Sequence, residues 1–237
     1  MIIHWECLEE MDKLIEQWIK VDAIITDPPY GTTKCSRDSV IPFDAMRERL
    51  NKLIKPNGAI VLFGSEPFSS ALRMSNIKHY KYDWIFHKTL PVWHGYAKYR
   101  PMSNHENISV FGNGKILYNP QFTPREKPRT YLRKNASTSW SSSMGSHDNK
   151  TRVLNGKYPT TIQKFNTSVQ RGKVHPTQKP VALMEYLIKT YSHEWELILD
   201  FTAWSWSTLV AAKNTNRKYI WIEMEEKYIN SRKERLK

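Results

Sequence analysis

The chain has 237 residues, with 36 Lys and Arg against 23 Asp and Glu, a formal charge of +13 and a mean hydropathy of −0.62. No apolar run approaches the roughly 18 residues of a membrane helix, and two cysteines, Cys7 and Cys35, exclude a disulfide framework or a cysteine zinc cluster. Glycine and tryptophan each occur nine times, so glycine is 3.8% of the chain where about 7% is usual.

Met1–His4 reads as a short apolar strand, and Leu8, Met11, Leu14 and Ile15 repeat at helical spacing over Cys7–Lys20. Ala23–Thr26 is a strand stopped by Asp27-Pro28-Pro29, where two prolines bar a helix. An amphipathic helix over Phe43–Ile54 is closed by Pro56-Asn57-Gly58. Ala59–Phe63 is a wholly apolar strand of the buried parallel kind. A helix over Phe68–Asn76 and a strand over Tyr82–His87 follow. From about Val92 to Val174 periodicity weakens, and Ser, Asn, Thr, Lys and Tyr dominate. Regularity returns with helix Val181–Tyr191, strand Leu197–Leu199, helix Ser207–Asn214, strand Tyr219–Ile222 and helix Glu226–Leu236.

This order predicts an α/β fold, a Rossmann-like doubly wound, mostly parallel sheet with an inserted basic region. The expected divisions are a catalytic half at 1–91, the insert at 92–174, and a second half at 175–237 that completes the same sheet. Charge follows the division. Lys115–Val174 holds 12 basic residues and two acidic ones, Glu126 and Asp148, whereas the rest holds 24 basic and 21 acidic. A basic segment on a nearly neutral body suits a polyanion such as nucleic acid. The opening MIIHWECLEEMDKL carries acids and no apolar signal core, so a cytoplasmic protein with no membrane role is expected. His79, His87, His94 and His105 have few carboxylates near them, and no metal is expected. There is no GxxxxGK[ST] loop to support ATP hydrolysis.

The chemistry concentrates at Asp27-Pro28-Pro29-Tyr30, at the carboxyl end of a buried strand, where open α/β sheets bind ligands. The prolines remove backbone donors and leave carbonyls to accept. Asp27 adds a carboxylate and Tyr30 an aromatic face, a set that fits a planar ring bearing an exocyclic amino group.

VDAIITDPPYG, IVLFGSEPFSS, HPTQKPVALMEYLI and ILDFTAWSWSTLVAAKNTNRKYIWIEMEEKYI together resemble the amino-methyltransferases of DNA. Their order resembles the permuted group in which DPPY precedes the insert and the cofactor block comes last. The resemblance implies transfer of a methyl group from S-adenosylmethionine to the amino group of adenine, since cytosine enzymes of this kind more often show Ser in place of the leading Asp. It implies that Asp27 and the Pro28 carbonyl hold the amino group, with Pro29 in the same turn. Tyr30 would stack on a base flipped from double-stranded DNA. For the cofactor it implies Glu6 and Cys7 near the adenine, and Glu223 on the ribose. His175, Thr177, Gln178 and Lys179 would lie beside the methionine part. Asp200, Thr202, Ala203, Trp204, Ser205, Trp206, Ser207 and Thr208 would form the turn that cradles it. A companion restriction endonuclease and a monomer or homodimer are compatible with this reading. The alternatives are an inactive methyltransferase-like DNA-binding protein, or an enzyme acting on cytosine N4 or on RNA.

The cofactor turn departs from the family. It reads Leu199-Asp200-Phe201-Thr202-Ala203-Trp204-Ser205-Trp206-Ser207-Thr208, where relatives carry two glycines that let the backbone approach the ligand. Trp5, Trp195 and Trp221, and with them Trp18, also stand on family glycines, whereas Trp84 is a tryptophan the family shares. Taken literally, the turn should bind cofactor poorly. A UGA codon read as glycine by the source and rendered as tryptophan would account for all six positions. Arg37 and Arg47, where relatives often carry Trp, hint at a second reassigned codon.

Overall fold

A computed structural model describes residues 2–4, 6–32, 38–92, 94–132, 151–166, 178–203 and 206–224. The expected helix at 226–236, the polar stretch at 135–149 and Cys35 lie outside the described residues.

Among the described residues eight strands form one sheet. In chain order they are β1 (Ile2–His4), β2 (Val21–Thr26), β3 (Ile54–Gly64), β4 (Tyr80–Val92), β5 (Ser103–Phe111), β8 (Ile162–Phe165), β9 (Leu197–Asp200) and β10 (Lys218–Glu223). Their spatial order is β1-β10-β9-β2-β3-β5-β4-β8. The first five run parallel, β5 is antiparallel to β3 and β4, and β8 pairs parallel with β4. The late strands β9 and β10 therefore fill the gap between the early strands β1 and β2, which makes one sheet from both ends of the described chain.

Alternation along the central strands builds two apolar layers. Ala23, Ile25, Val61 and Phe63 face α4 (Val181–Tyr191) and α5 (Ser207–Asn214), where Leu183, Leu187, Ile188 and Ala211 meet them. On the other face, Ile24, Ile60 and Leu62 pack with Met11 and Leu14 of α1 (Cys7–Glu16). Met46 and Leu50 of α2 (Phe43–Leu53) and Leu72 of α3 (Phe68–Met74) complete that layer. Helices on both faces of a mainly parallel sheet are the Rossmann-like arrangement expected from the sequence. Among the described residues no helix is long and apolar enough to cross a membrane.

Two differences from the sequence reading have physical causes. Pro56-Asn57-Gly58 is not a turn after α2 but lies inside β3, which starts at Ile54. The register slips between Val21–Ile54 and Ala23–Ala59, and such an irregularity accommodates a proline that cannot donate to the ladder. Strands β5 and β8, both inside 92–174, belong to the main sheet. What separates is 120–160 alone, a unit containing the antiparallel pair β6 (Thr123–Leu132) and β7 (Thr151–Lys157). Within that unit Lys127 and Arg129 are exposed, and Arg125 Nε donates to the Gly156 carbonyl at 3.2 Å.

Two buried cationic or indole groups show how differently a core side chain can be accommodated. Trp84 Nε1 donates to the Tyr191 hydroxyl at 2.6 Å, so its buried N–H is satisfied. Arg47 is buried with its guanidinium 4.0 Å from the centroid of the Phe111 ring. Its Nη2 donates to the Leu72 carbonyl at 2.9 Å, but Nη1 has no partner. Burial pulls the guanidinium down to about 10.

Candidate active site

The parallel strands β2, β9, β10 and β1 end at one edge of the sheet, where Glu6, Asp27, Asp200 and Glu223, singled out from sequence, stand. Where β2 ends, the buried Thr26 hydroxyl donates to Asp200 Oδ1 at 2.5 Å and lies 2.8 Å from the Thr202 hydroxyl. Thr202 in turn donates to the Asp27 carbonyl at 3.2 Å. These bonds tie the end of β2 to the turn after β9. Burial pushes Asp200 up to about 6 against the hydrogen bonds from Thr26, Thr208 and the Thr202 backbone.

The turn that follows is clamped by a residue the sequence reading did not name. Asp38 accepts from three successive backbone N–H groups, those of Tyr30 at 2.8 Å, Gly31 at 2.9 Å and Thr32 at 2.8 Å. Gly31 has φ +68, and a Cβ there would stand 2.9 Å from Val40 Cγ2. Only glycine permits this fold-back without strain. The clamp holds Pro28, Pro29 and Tyr30 at the mouth of the site.

Asp27 is the hub of a charge cluster. Its Oδ1 accepts from the Tyr30 hydroxyl, and its Oδ2 pairs with Lys179 Nζ at 2.5 Å. Lys179 Nζ also lies 3.1 Å from Glu106 Oε2, and Lys88 Nζ lies 2.5 Å from Glu106 Oε1. Burial raises Asp27 above the usual carboxylate range although Lys179 opposes it. Burial works on Glu106 as well, but the two lysines outweigh it and hold Glu106 low. Lys179 is desolvated too, yet Asp27 and Glu106 keep it above its ordinary value. Burial lifts the Tyr30 hydroxyl well above a free tyrosine, and Asp27 adds to the shift. Desolvation thus prevails at Asp27, whereas the ion pairs prevail at Glu106 and Lys179.

Lys179, expected beside the cofactor, pairs with Asp27. Its backbone carbonyl accepts from Ser207 Oγ at 2.6 Å, which anchors 178–180 to the start of α5. Glu106 and Lys88 were not legible as site residues. The one available signal was an isolated acid in the middle of the strand sequence Ser103–Phe111.

Beside this cluster a cavity of about 290 Å³ opens at the ends of β1, β9 and β10. Glu6, Cys7, Pro29, Thr202, Ala203 and Glu223 line it, with Val40, Ile41, Phe201 and Ile222 as its apolar walls. Glu6 also caps α1, where Oε2 accepts from Leu8 N at 2.8 Å and Glu9 N at 3.1 Å. Burial pushes the Cys7 thiol, which donates to Glu6 at 3.3 Å, up to about 12, so it stays protonated. The donor set suits a nucleoside, with apolar walls for the ring and carboxylates for hydroxyl or amino donors. His175, Thr177, Trp204 and Ser205 lie outside the described residues. Asp200, Ser207 and Thr208 are buried behind the cavity, and Gln178 is partly buried ahead of Lys179.

A family model described as DNA methylase matches residues 21–234. The type II methyltransferase M.HpaI of Haemophilus parainfluenzae is 28% identical over 232 residues, which span 91% of this chain and 68% of that protein. The crystal structure of the M1.HpyAVI–SAM complex superposes with a TM-score of 0.68 at 25% identity, over 99% of this chain and 98% of that one. The cytosine-N4-specific PvuII DNA methyltransferase shares the fold, with a TM-score of 0.66 at 16% identity over 96% and 83% of the two chains.

Proposed function

The chain belongs to the N6/N4 DNA methylase family, and from that premise we propose that it transfers a methyl group from S-adenosylmethionine to N6 of adenine in double-stranded DNA. The observation that carries an amino-group target is Asp27, a desolvated carboxylate at the carboxyl end of β2, and adenine is chosen over cytosine because Asp, not Ser, leads the Asp27-Pro28-Pro29-Tyr30 block. Its carboxylate and the Pro28 carbonyl give two acceptors for the two N–H donors of an exocyclic amino group. S-Adenosylmethionine, when bound, supplies an electrophilic methyl carbon, which bonds to the amino nitrogen as its bond to sulfur breaks and sulfur keeps the electron pair.

The chain's own residues do the rest by positioning. Asp27 accepts from the amino group in exchange for its bond to the Tyr30 hydroxyl, and it takes the proton that the methylated nitrogen sheds. Lys179, braced by Glu106 and Lys88, fixes the carboxylate from the far side. Tyr30, whose ring centroid is 5.1 Å from that of Phe68, offers its face to the extruded base. Glu223 and Glu6 hold the cofactor's ribose and adenine, while Phe201, Ile222 and Ile41 wall its ring.

DNA approaches the same edge. β4 runs parallel to β3, so the segment after Val92 emerges at the carboxyl edge. There Tyr99 is 85% exposed, and Arg100 lies 5.0 Å from the Tyr96 ring centroid with Lys98 exposed beside them. Aromatic faces among basic side chains suit unpaired bases and phosphates. The basic unit 120–160 reads the target sequence in this proposal.

The test uses unmethylated DNA and methyl-labelled cofactor, followed by digestion to nucleosides. Label in N6-methyladenine is expected. Label in N4-methylcytosine overturns the base assignment, and transfer only to RNA overturns the substrate.

A further inference from the structure

Five described residues have positive φ. Two are glycines, Gly31 and Gly114, and one is Asn216, a residue type enriched in this region. The other two are Trp18 at +57° and Trp195 at +68°, where the Cβ of a bulky side chain crowds the following carbonyl. Trp18 stands just past α1. Its N–H donates to the Ile15 carbonyl at 2.9 Å, and that of Ile19 to the Leu14 carbonyl at 3.0 Å. This is a Schellman cap with Trp18 in its left-handed position, which glycine usually fills. The end of α5 repeats the motif with Asn216 there, its N–H on Lys213 at 3.2 Å and that of Arg217 on Ala212 at 2.8 Å. Trp195 occupies the third position of a tight turn in which Glu196 N–H reaches the His193 carbonyl at 3.4 Å, a place where positive φ again selects glycine. Packing does not explain either indole, since they are 86% and 67% exposed.

Trp206 and Trp221 misfit in the opposite way. They are 3% and 1% exposed, and Nε1 of each has no hydrogen-bond partner. Their rings meet at 4.9 Å between β10 and the start of α5, in a cluster with Ala203, a wall of the cavity. A buried donor without an acceptor is a standing cost. Trp84, the remaining described tryptophan, has its N–H bonded to Tyr191.

Four of the five described tryptophans thus conflict with their surroundings, two through the backbone and two through an orphaned N–H. One change removes all four conflicts. We infer that residues 18, 195, 206 and 221 are glycine in the protein its source cell makes, at codons UGA that this genome decodes as glycine. Independent substitutions at four unrelated sites would not converge on the bulkiest side chain. With glycine at 206 and 221 the indole pair vanishes from behind Ala203, and the turn after β9 gains room for the methionine end of a cofactor. The inference stands on backbone and hydrogen-bond geometry, whatever base or reaction the site serves.

The gene sequence is the first test. UGA is expected at codons 18, 195, 206 and 221, with UGG at codon 84, and UGG at all five overturns the inference. The second is peptide mapping of the protein purified from its source cell. Glycine masses at the four positions are expected, and tryptophan masses overturn it. The full chain gives a third. Trp18→Gly and Trp195→Gly should each raise Tm by up to about 6 °C once glycine's freedom in the unfolded chain is set against the relieved strain, and a fall in either overturns the assignment there. Trp206→Gly with Trp221→Gly should leave Tm unchanged or higher. Were the indoles native core, their loss would open cavities and lower Tm by more than about 10 °C, which overturns the assignment at that pair.

Discussion

The two sides of the site, only one strand apart, differ in how well their polar groups are matched. Around Asp27 every charge of the Asp27–Lys179–Glu106–Lys88 chain meets an opposite charge within 3.1 Å, Glu106 Oε2 being held by its ion pair with Lys179 and not by a hydrogen bond, and the nearby buried indole of Trp84 is bonded. On the side proposed for the cofactor two adjacent buried indole N–H groups, those of Trp206 and Trp221, meet nothing. Both sides rest on the same sheet and the same core. The difference therefore points away from loose packing and towards particular side chains that do not belong to that side. Buried polar groups reveal such errors because each one left without a partner costs free energy that burial alone does not restore.

The largest expected effect tests whether the matched side is the working side. Asp27→Asn keeps the shape but loses the charge that orients the amino group. Methyl transfer should fall by about 10²–10³-fold, while calorimetric affinity for S-adenosylmethionine is unchanged. Equal loss of both would put Asp27 on the cofactor and erase the division into two sides.

Asp200 tests the cofactor side through pH. Burial lifts it from 3.8 to about 6, so its ordinary protonated state favours the fold at low pH. That contribution is fully present below about 4 and is lost as pH rises through about 6. Asp200→Asn does not ionise. Its stability relative to the parent, from urea unfolding at pH 4.5 and 8, should therefore improve at the higher pH by about 2–3 kcal/mol. No change with pH would mean that the hydrogen bonds from Thr26, Thr208 and the Thr202 backbone fully offset the burial, making this side as well matched as the other.

Glu106→Gln sharpens the target side. Burial, opposed by Lys179, raises Asp27, and the negative charge of Glu106 raises it further. Removing that charge should lower the Asp27 value, so the acid limb of the pH–rate profile moves to lower pH. The plateau rate should drop about tenfold, ~1.4 kcal/mol, because Lys179 then has one carboxylate to hold instead of two. A merely structural role for Glu106 would lower the rate without moving the limb.

What could be read from sequence divides by the range of the interaction. Helices α4 and α5 have the bounds that periodicity predicts, because each is a local apolar pattern with a proline or turn at its start. Strand β5 was hidden because its first three residues are exposed or half-exposed and polar, and only Ile108–Phe111 looks like a buried strand. Asp27 and Tyr30 stood out in one tetrapeptide, whereas Glu106 owes its place to Lys179, 73 residues away, and to a strand order that no local pattern encodes. Asp38 was missed for a similar reason, since its role is to satisfy three backbone N–H groups that exist only once the turn has folded.

The smallest expected effect isolates the tryptophans from the strain of the backbone itself. Trp18 and Asn216 hold the same position in two caps with the same pair of hydrogen bonds. Asparagine visits the left-handed region at little cost, and glycine's extra freedom in the unfolded chain offsets most of what it relieves. Asn216→Gly should therefore change stability by less than about 0.5 kcal/mol in urea unfolding, against a clear gain for Trp18→Gly. If both substitutions stabilise equally, the conflict at Trp18 is a property of the cap, and its indole carries no information about the gene. A gain confined to Trp18 assigns the conflict to the side chain, because the backbone geometry of the two caps is shared.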